Sequence, residues 1–176
     1  YSYKVYRAQE IGGPYIQIAQ DVLTSYYIDI DAGDQDWNEY FYYVRTVDVN
    51  GIEDTSPSPE HAAKAVRSVD PGWNLFSIPV EMQSGDIGTV LQTGDWDRVR
   101  TYDAFDAAHP WKVHHFSSPA FLNDLWTLNH VHGIWIYMNV PDNLVFAGHV
   151  RSSADITLKA GWNLVSYPCL VDELAS

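Results

Sequence analysis

Residues 1–66 consist of short runs in which apolar and polar residues alternate, each ended by residues that favour turns. The runs cover residues 3–8, 15–19, 26–30, 40–48 and 62–66, with Gly12-Gly13-Pro14 and Asn50-Gly51 among the connections. An alternation of period two places every second side chain on one face of a β-strand, whereas a helix needs a period of 3.6. Aromatic residues make up 14% of the chain and also suit pleated surfaces. The pattern therefore predicts antiparallel strands joined by tight turns.

Three of these segments together resemble the later strands of a bacterial or archaeal fibronectin type III domain. They are residues 3–8 (YKVYRA), 26–29 (YYID) and 42–56 (YYVRTVDVNGIEDTS). The resemblance implies that residues 1–68 form a two-sheet sandwich lacking its first two strands, one of which carries a core Trp. Seven strands close such a sandwich, so five leave one apolar inner face uncovered. We expect the missing strands to exist in the molecule outside this sequence; a neighbouring chain or the second domain is the alternative cover.

The sequence contains two nearly identical segments, GWNLFSIP at residues 72–79 and GWNLVSYP at residues 161–168, 89 positions apart. This offset suits a repeat of whole domains rather than a solenoid. We expect the two Gly-Trp-Asn-Leu segments to be structural twins, with Trp73 and Trp162 both buried and Leu75 and Leu164 on matching faces of strands. The second segment either opens a further unit or pairs with the first to close this one, and the pairing is favoured.

Residues 69–176 are predicted to form a second domain, mostly of β structure. Further strands are expected at residues 98–102, 111–116, 133–139, 144–148 and 155–158, and short helices after Ser84 and after Ser118-Pro119. This region resembles the repeated Gly-Trp-Asn-Leu β domains of secreted prokaryotic proteins, often archaeal ones, and the resemblance implies no general activity. The whole chain is therefore predicted to be all-β, an incomplete fibronectin type III-like sandwich plus a second β domain with one or two short helices.

The chain carries a net charge of −13. A nucleic-acid-binding face needs clustered basic residues that release phosphate counterions, and anionic lipid repels an acidic surface. We therefore expect neither nucleic acid nor membrane insertion, and no apolar run reaches the roughly 20 residues of a spanning helix. The single cysteine, Cys169, forms no internal disulfide, so localisation depends on the resemblance. That resemblance implies an extracellular or cell-surface protein.

Residues 29–39 contain alternating carboxylates, and such a loop is the sharpest candidate for a metal site. Calcium takes six or more oxygen ligands from a flexible loop, and the candidate ligands are Asp29, Asp31, Asp34 and Asp36. The spacing does not follow the EF-hand, because Gly33 occupies the place of the third ligand. Calcium binding is therefore one interpretation and an acidic solvated loop is the other; no other cofactor is expected.

Catalytic sites find little support in the sequence. His114 and His115 are adjacent on a predicted strand and point to opposite faces, and no cysteine pair or metalloprotease motif accompanies the histidines. Ser77 and Ser166 lie within the repeated segments, not on a nucleophile elbow. We therefore predict that the chain is not an enzyme.

Exposed tryptophans are a possible carbohydrate platform, and the candidates are Trp111, Trp126 and Trp135. The alternative is that they form the core, since residues 133–138 are apolar on both faces and so predict a central strand covered on both sides. The predicted function is a non-catalytic structural, spacer or adhesive region of a larger secreted or cell-surface protein. The alternative is a carbohydrate- or calcium-binding accessory module of a secreted hydrolase. Expected partners are other domains of the same polypeptide and surface glycans or proteins.

Overall fold

The computed structural model describes residues 1–32, 38–55, 61–91, 95–151, 153–168 and 170, and these form two antiparallel β-sheets. The strands are β1 (Ser2–Ala8), β2 (Ile16–Val22), β3 (Tyr40–Val47), β4 (His61–Val69), β5 (Gly72–Ser77), β6 (Trp96–Tyr102), β7 (Trp111–His115), β8 (Gly133–Met138) and β9 (Asp142–His149). The helices are α1 (Ile87–Val90) and two 3₁₀ turns, Ile30–Ala32 and Ala120–Leu122. The predicted all-β class is confirmed. No helix within the described ranges is long and apolar enough to cross a membrane.

The five-stranded sheet has the order β2-β1-β3-β4-β9. Its last strand joins by antiparallel pairing of β4 with β9, from Ala62 opposite His149 to Val69 opposite Asp142. Consequently the sheet runs continuously across the boundary predicted at residues 68 and 69. The division into two domains stays a prediction, but the two parts share a sheet.

The four-stranded sheet has the order β5-β8-β6-β7, so residues 133–138 do form a central strand. Ile134, Ile136 and Met138 are buried on its inner face. The expectation that both faces are covered is wrong, because Trp135 and Tyr137 on the other face stay partly exposed. Among the described residues, the inner face packs into the core and the outer face is partly open to solvent.

Buried side chains from both sheets form one core. Leu144 and Phe146 of the five-stranded sheet join Val99, Ile134 and Ile136 of the four-stranded sheet in a single cluster. Because the two inner faces bury each other, the sheets stabilise one another at about 25 cal/mol for each Å² of apolar surface removed from water.

Helix α1 lies where a helix was predicted, but its cap is a different residue. The carboxylate of Asp86 accepts a hydrogen bond from the Thr89 backbone amide at 3.0 Å, so Asp86 and not Ser84 is the N-cap. Ile87 and Val90 on this turn are buried in the core. Ser84 instead accepts a hydrogen bond from the Asp86 backbone amide.

Three predicted strands are not formed. Residues 26–30 and 155–158 are outside the sheets, and the second Gly-Trp-Asn-Leu segment makes only an isolated bridge between Val165 and His132. The three segments have the right alternation, but no neighbouring strand of the described sheets pairs with them. A strand needs such a neighbour to satisfy its backbone amides and carbonyls, so alternation alone did not suffice.

Candidate functional site

The outer face of the four-stranded sheet carries a continuous group of aromatic and basic side chains. The pairing register aligns Trp73 with Tyr137, Leu75 with Trp135, and Tyr102 with Trp111. Arg98 and Arg100 of β6 stand beside Tyr137 and Trp135 on the same face. We call this surface the aromatic face; it consists of Trp73, Leu75, Arg98, Arg100, Tyr102, Trp111, Trp135 and Tyr137.

Ring contacts hold the aromatic face in place. The Trp73 ring lies edge-on to Tyr137, with centroids 5.4 Å apart, and edge-on to Trp135 at 6.4 Å. Tyr102 and Trp111 make a similar contact at 5.2 Å. Such edge-to-face pairs contribute about 0.5–1.5 kcal/mol beyond burial. The rings therefore have defined orientations before any ligand arrives.

The two arginines add positive charge to this face of an acidic protein. The Arg100 guanidinium lies 5.4 Å from the centroid of the Trp73 ring, and that of Arg98 lies 5.8 Å from Tyr137. Arg98 also pairs with Asp97 at 2.6 Å. Stacked guanidinium groups keep their N–H donors at the ring edges, where carboxylate or sulfate oxygens bind.

The aromatic face is open to solvent although most of its side chains are apolar. Trp73 is 44% exposed and Trp111 is 52% exposed. The prediction that Trp73 and Trp162 are both buried is wrong, since Trp162 is 88% exposed. Contiguous exposed apolar surface on a soluble protein marks a site of interaction. The ring contacts and the strand pairing beneath them give this surface a defined shape.

Two of the three tryptophans suggested as a sugar platform lie on the aromatic face, namely Trp111 and Trp135. The third, Trp126, is elsewhere, with its ring edge-on to His114 at 5.1 Å. Sequence reasoning missed Trp73, Arg98 and Arg100. The sequence did contain a signal that Trp73 faces outward. Side chains alternate along a strand, so Trp73 and Phe76 lie on opposite faces and cannot both point into the same core.

The predicted calcium ligands are only partly described. The Asp29 carboxylate accepts hydrogen bonds from Arg7 Nη1 at 2.9 Å and from the Tyr42 hydroxyl at 3.0 Å. Burial, together with this bond to Asp29, raises the pKa of the Tyr42 phenol. Asp31 is exposed in the first 3₁₀ turn, and its backbone amide donates to Asp29. Asp34 and Asp36 lie outside the described residues, so the calcium site stays a prediction.

The histidines do not assemble into a metal site. Within the described part of the chain, no three or more His, Cys, Asp or Glu side chains are grouped so that they could hold a metal ion. His114 Nδ1 lies 2.9 Å from the Leu125 carbonyl oxygen. Burial lowers the pKa of His132, whose Nδ1 has no hydrogen-bond partner in the described structure. His132 borders a cleft of about 410 Å³ at the end of the four-stranded sheet, which Trp126 and Asp155 also line.

A larger cleft of about 660 Å³ lies over the five-stranded sheet, beneath the segment that contains Tyr26 and Tyr27. Val5, Val44 and Val145 line it with apolar surface. This is the part of the sheet that the fibronectin type III resemblance expects to be uncovered. The absence of two strands from residues 1–68 nevertheless stays a prediction, because nothing in the structure identifies what fills the cleft.

A polar cluster on the opposite face of that sheet is structural. Glu53 accepts hydrogen bonds from Lys4 Nζ and from the Tyr6 hydroxyl, both at 2.8 Å. The hydrogen bond from Lys4 is the main cause that lowers the pKa of Glu53. Burial is the main cause that raises the pKa of Tyr6 to about 12, and the hydrogen bond to Glu53 is the second. At neutral pH both groups therefore keep one charge state, and they hold the turn after β3 against β1.

No protein-family model, curated protein or solved structure matches this chain.

Proposed function

We propose that the chain is a non-catalytic adhesive region of a larger secreted or cell-surface protein, and that the aromatic face is its contact surface for carbohydrate. The observation that carries this proposal is the exposure of Trp73 and Trp111 on a rigid sheet whose neighbouring rings already fix their orientation. The same surface would serve in an adhesin or in the accessory region of a secreted hydrolase.

The shape of the surface suits a polymer better than a small molecule. Small ligands bind in concave pockets that bury most of their surface. The aromatic face instead spreads over four adjacent strands, with Trp73 on β5 and Trp111 on β7 at its two sides. Sugar rings present flat C–H faces that pack on aromatic rings by dispersion and by exclusion of water. Several sugars of one chain can lie along such a surface at once.

The arginines favour a carbohydrate that carries carboxylate or sulfate groups. Guanidinium groups form paired hydrogen bonds with such anions. The rest of a protein with a net charge of −13 repels them. Because Asp97 already pairs with Arg98, Arg100 is the group from which an acidic polysaccharide gains most.

The test is binding of the purified chain to polygalacturonate, with a neutral β-glucan for comparison. Trp73→Ala and Trp111→Ala should each weaken polygalacturonate binding at least about fivefold, because truncating an aromatic residue that contacts the ligand typically costs about 1 kcal/mol or more. Arg100→Gln should weaken binding to polygalacturonate but not to the neutral glucan. Added salt should have the same selective effect.

Phe121→Ala is the matched control, because Phe121 is an exposed aromatic residue on the second 3₁₀ turn and is not one of the residues that form the aromatic face. It should leave binding unchanged. No binding of either polysaccharide, or an equal loss with Phe121→Ala and Trp73→Ala, would refute the carbohydrate proposal.

A further inference from the structure

Strand β6 contains a bulge that places Asp97 beside Arg98 on the outer side of the four-stranded sheet. Two successive residues of β8 pair with Trp96 and Arg98, so Asp97 has no partner residue on that strand. Trp96 and Val99 are buried in the core, whereas the side chains of Asp97 and Arg98 between them are 29% and 36% exposed. Two consecutive side chains therefore face outward where a regular strand would alternate, and a bulge redirects side chains in this way.

The bulge allows the Asp97 carboxylate to bind the neighbouring guanidinium group. Asp97 Oδ2 accepts a hydrogen bond from Arg98 Nε at 2.6 Å. The Asp97 carbonyl oxygen accepts a second bond, from the Phe116 backbone amide at 2.9 Å, which holds the bulged residue at the end of β7. The charges of Asp97 and Arg98 cancel at contact distance, so a ligand that approaches Arg98 meets a nearly neutral pair.

Arg100 differs from Arg98 although both residues point to the same side of β6. Two positions along a strand separate them by about 7 Å. The Arg100 guanidinium lies 5.4 Å from the centroid of the Trp73 ring, and among the described residues Arg100 forms no salt bridge. With Asp97 included, this side of the sheet has two positive groups and one negative group. An anionic ligand therefore finds one available cation, Arg100, with a carboxylate close to it.

We propose that Asp97 makes the aromatic face selective for a polysaccharide whose anionic groups are separated by neutral sugars. One carboxylate or sulfate of such a polymer binds Arg100, while its neutral sugars pack on the neighbouring aromatic rings. A densely charged polymer places a further anion near Arg98, where Asp97 repels it and already holds the guanidinium. Specificity often depends on such a repulsive group as well as on attractive contacts. This inference rests on the proposed carbohydrate function of the aromatic face.

Oligogalacturonides of one length test the proposal, because methyl esterification neutralises a carboxylate without changing the sugar backbone. The unsubstituted chain should bind a partly esterified sample more tightly than a fully de-esterified one. Asp97→Asn should strengthen binding of the de-esterified sample about threefold, the effect expected of one charge pair at a surface. Binding of the partly esterified sample should change less. Asp97→Glu retains the negative charge and should retain the original preference.

Two further variants separate the action of Asp97 on Arg98 from an effect of net charge. Asp21→Asn removes one exposed carboxylate from β2 of the other sheet and should leave both affinities unchanged. The double variant Asp97→Asn with Arg98→Gln should lose the threefold gain, because the gain comes from the released guanidinium.

The outcomes distinguish this inference from the carbohydrate proposal. Binding of the oligogalacturonides with equal affinities for Asp97→Asn and the unsubstituted chain would overturn the role of Asp97 alone. A gain that Asp21→Asn reproduces, or that persists after Arg98→Gln, would also overturn it. No binding of any sample by the unsubstituted chain would overturn both proposals.

Discussion

The two Gly-Trp-Asn-Leu segments share a sequence and a turn, yet they have different structures beyond that turn. In both, an asparagine bonds to the backbone four residues before it, and the glycine adopts a positive φ of 94° at Gly72 and 104° at Gly161. The first segment continues as strand β5, whereas the second makes a single isolated bridge. A few neighbouring residues are enough to determine a turn.

The difference between the segments comes from what lies beside them. Strand β5 pairs with β8 along six residues, and its inner side chains enter the core. Within the described residues, the second segment is paired only at Val165 with His132. The first and last segments, whose pairing the sequence favoured, are joined by a hydrogen bond from the Tyr167 amide to Ser77 Oγ at 2.9 Å, but they do not pair as strands in the described sheets. Strand formation therefore depends on a partner that the local sequence does not specify.

The largest expected difference concerns the core-facing sides of the two segments. Ile78→Ala should lower the free energy of unfolding by about 2–5 kcal/mol, because it removes buried methylene groups and leaves a cavity. Val165→Ala, on the corresponding side of the second segment, should change it by less than about 0.5 kcal/mol. Urea denaturation of both variants measures the two values. Similar losses would show that the second segment also contributes its apolar side to a core.

For the leucines, in contrast, the substitution in the second segment should cost more stability than the one in the first. Leu75 is exposed on the aromatic face, whereas Leu164 packs against Gly133. Leu164→Ala should therefore cost about 1–2 kcal/mol, less than full burial of a leucine is worth, and Leu75→Ala should cost less than about 0.5 kcal/mol. Urea denaturation again provides the measurement. A larger loss for Leu75→Ala than for Leu164→Ala would contradict the finding that this leucine is exposed in the first segment and packed in the second.

Much of the fold could be predicted from alternation, and the failures have one physical origin. Runs such as residues 3–8 and 133–139 are strands as predicted, because their alternation is strong and a partner lies nearby in space. Residues 26–30 alternate equally well and form no strand. Alternation identifies the side chains that share a face, but the covering of that face depends on distant pairings such as β4 with β9.

The candidate site was predictable to the same extent. Trp111 and Trp135 were recognised as possible ligand-binding residues because large aromatic side chains on strands are either core or platform. Which of the two applies depends on whether another layer covers the outer face of the sheet, and tertiary packing decides that. The same limit explains why Trp73 was expected in the core and is exposed.

Replacing the asparagine should disturb both turns locally, but only the substitution in the first turn should lower the free energy of unfolding of the whole protein. Asn74→Ala removes three side-chain bonds to the backbone and should lower the free energy of unfolding by about 1 kcal/mol, because β5 depends on that turn. Asn163→Ala removes the equivalent bonds but should leave global stability unchanged. Hydrogen exchange of the Lys159 amide, which bonds to Asn163, should nevertheless become faster. A global loss for Asn163→Ala would mean that the second turn belongs to the cooperative core.

The smallest expected effect is a coupling energy with Arg100 that Trp73 has and Trp162 lacks. The Arg100 guanidinium lies over Trp73, and a cation–π contact at a partly exposed site is worth about 0.5–1 kcal/mol. A double-mutant cycle of Arg100→Gln with Trp73→Leu should therefore give a coupling energy in that range. The parallel cycle of Arg100→Gln with Trp162→Leu should give none, because residues without a shared contact contribute additively. Since both tryptophans follow a glycine with the same turn, the second cycle controls for the loss of an indole itself. Equal coupling in the two cycles would mean that Arg100 acts through the fold as a whole and not through its contact with the Trp73 ring.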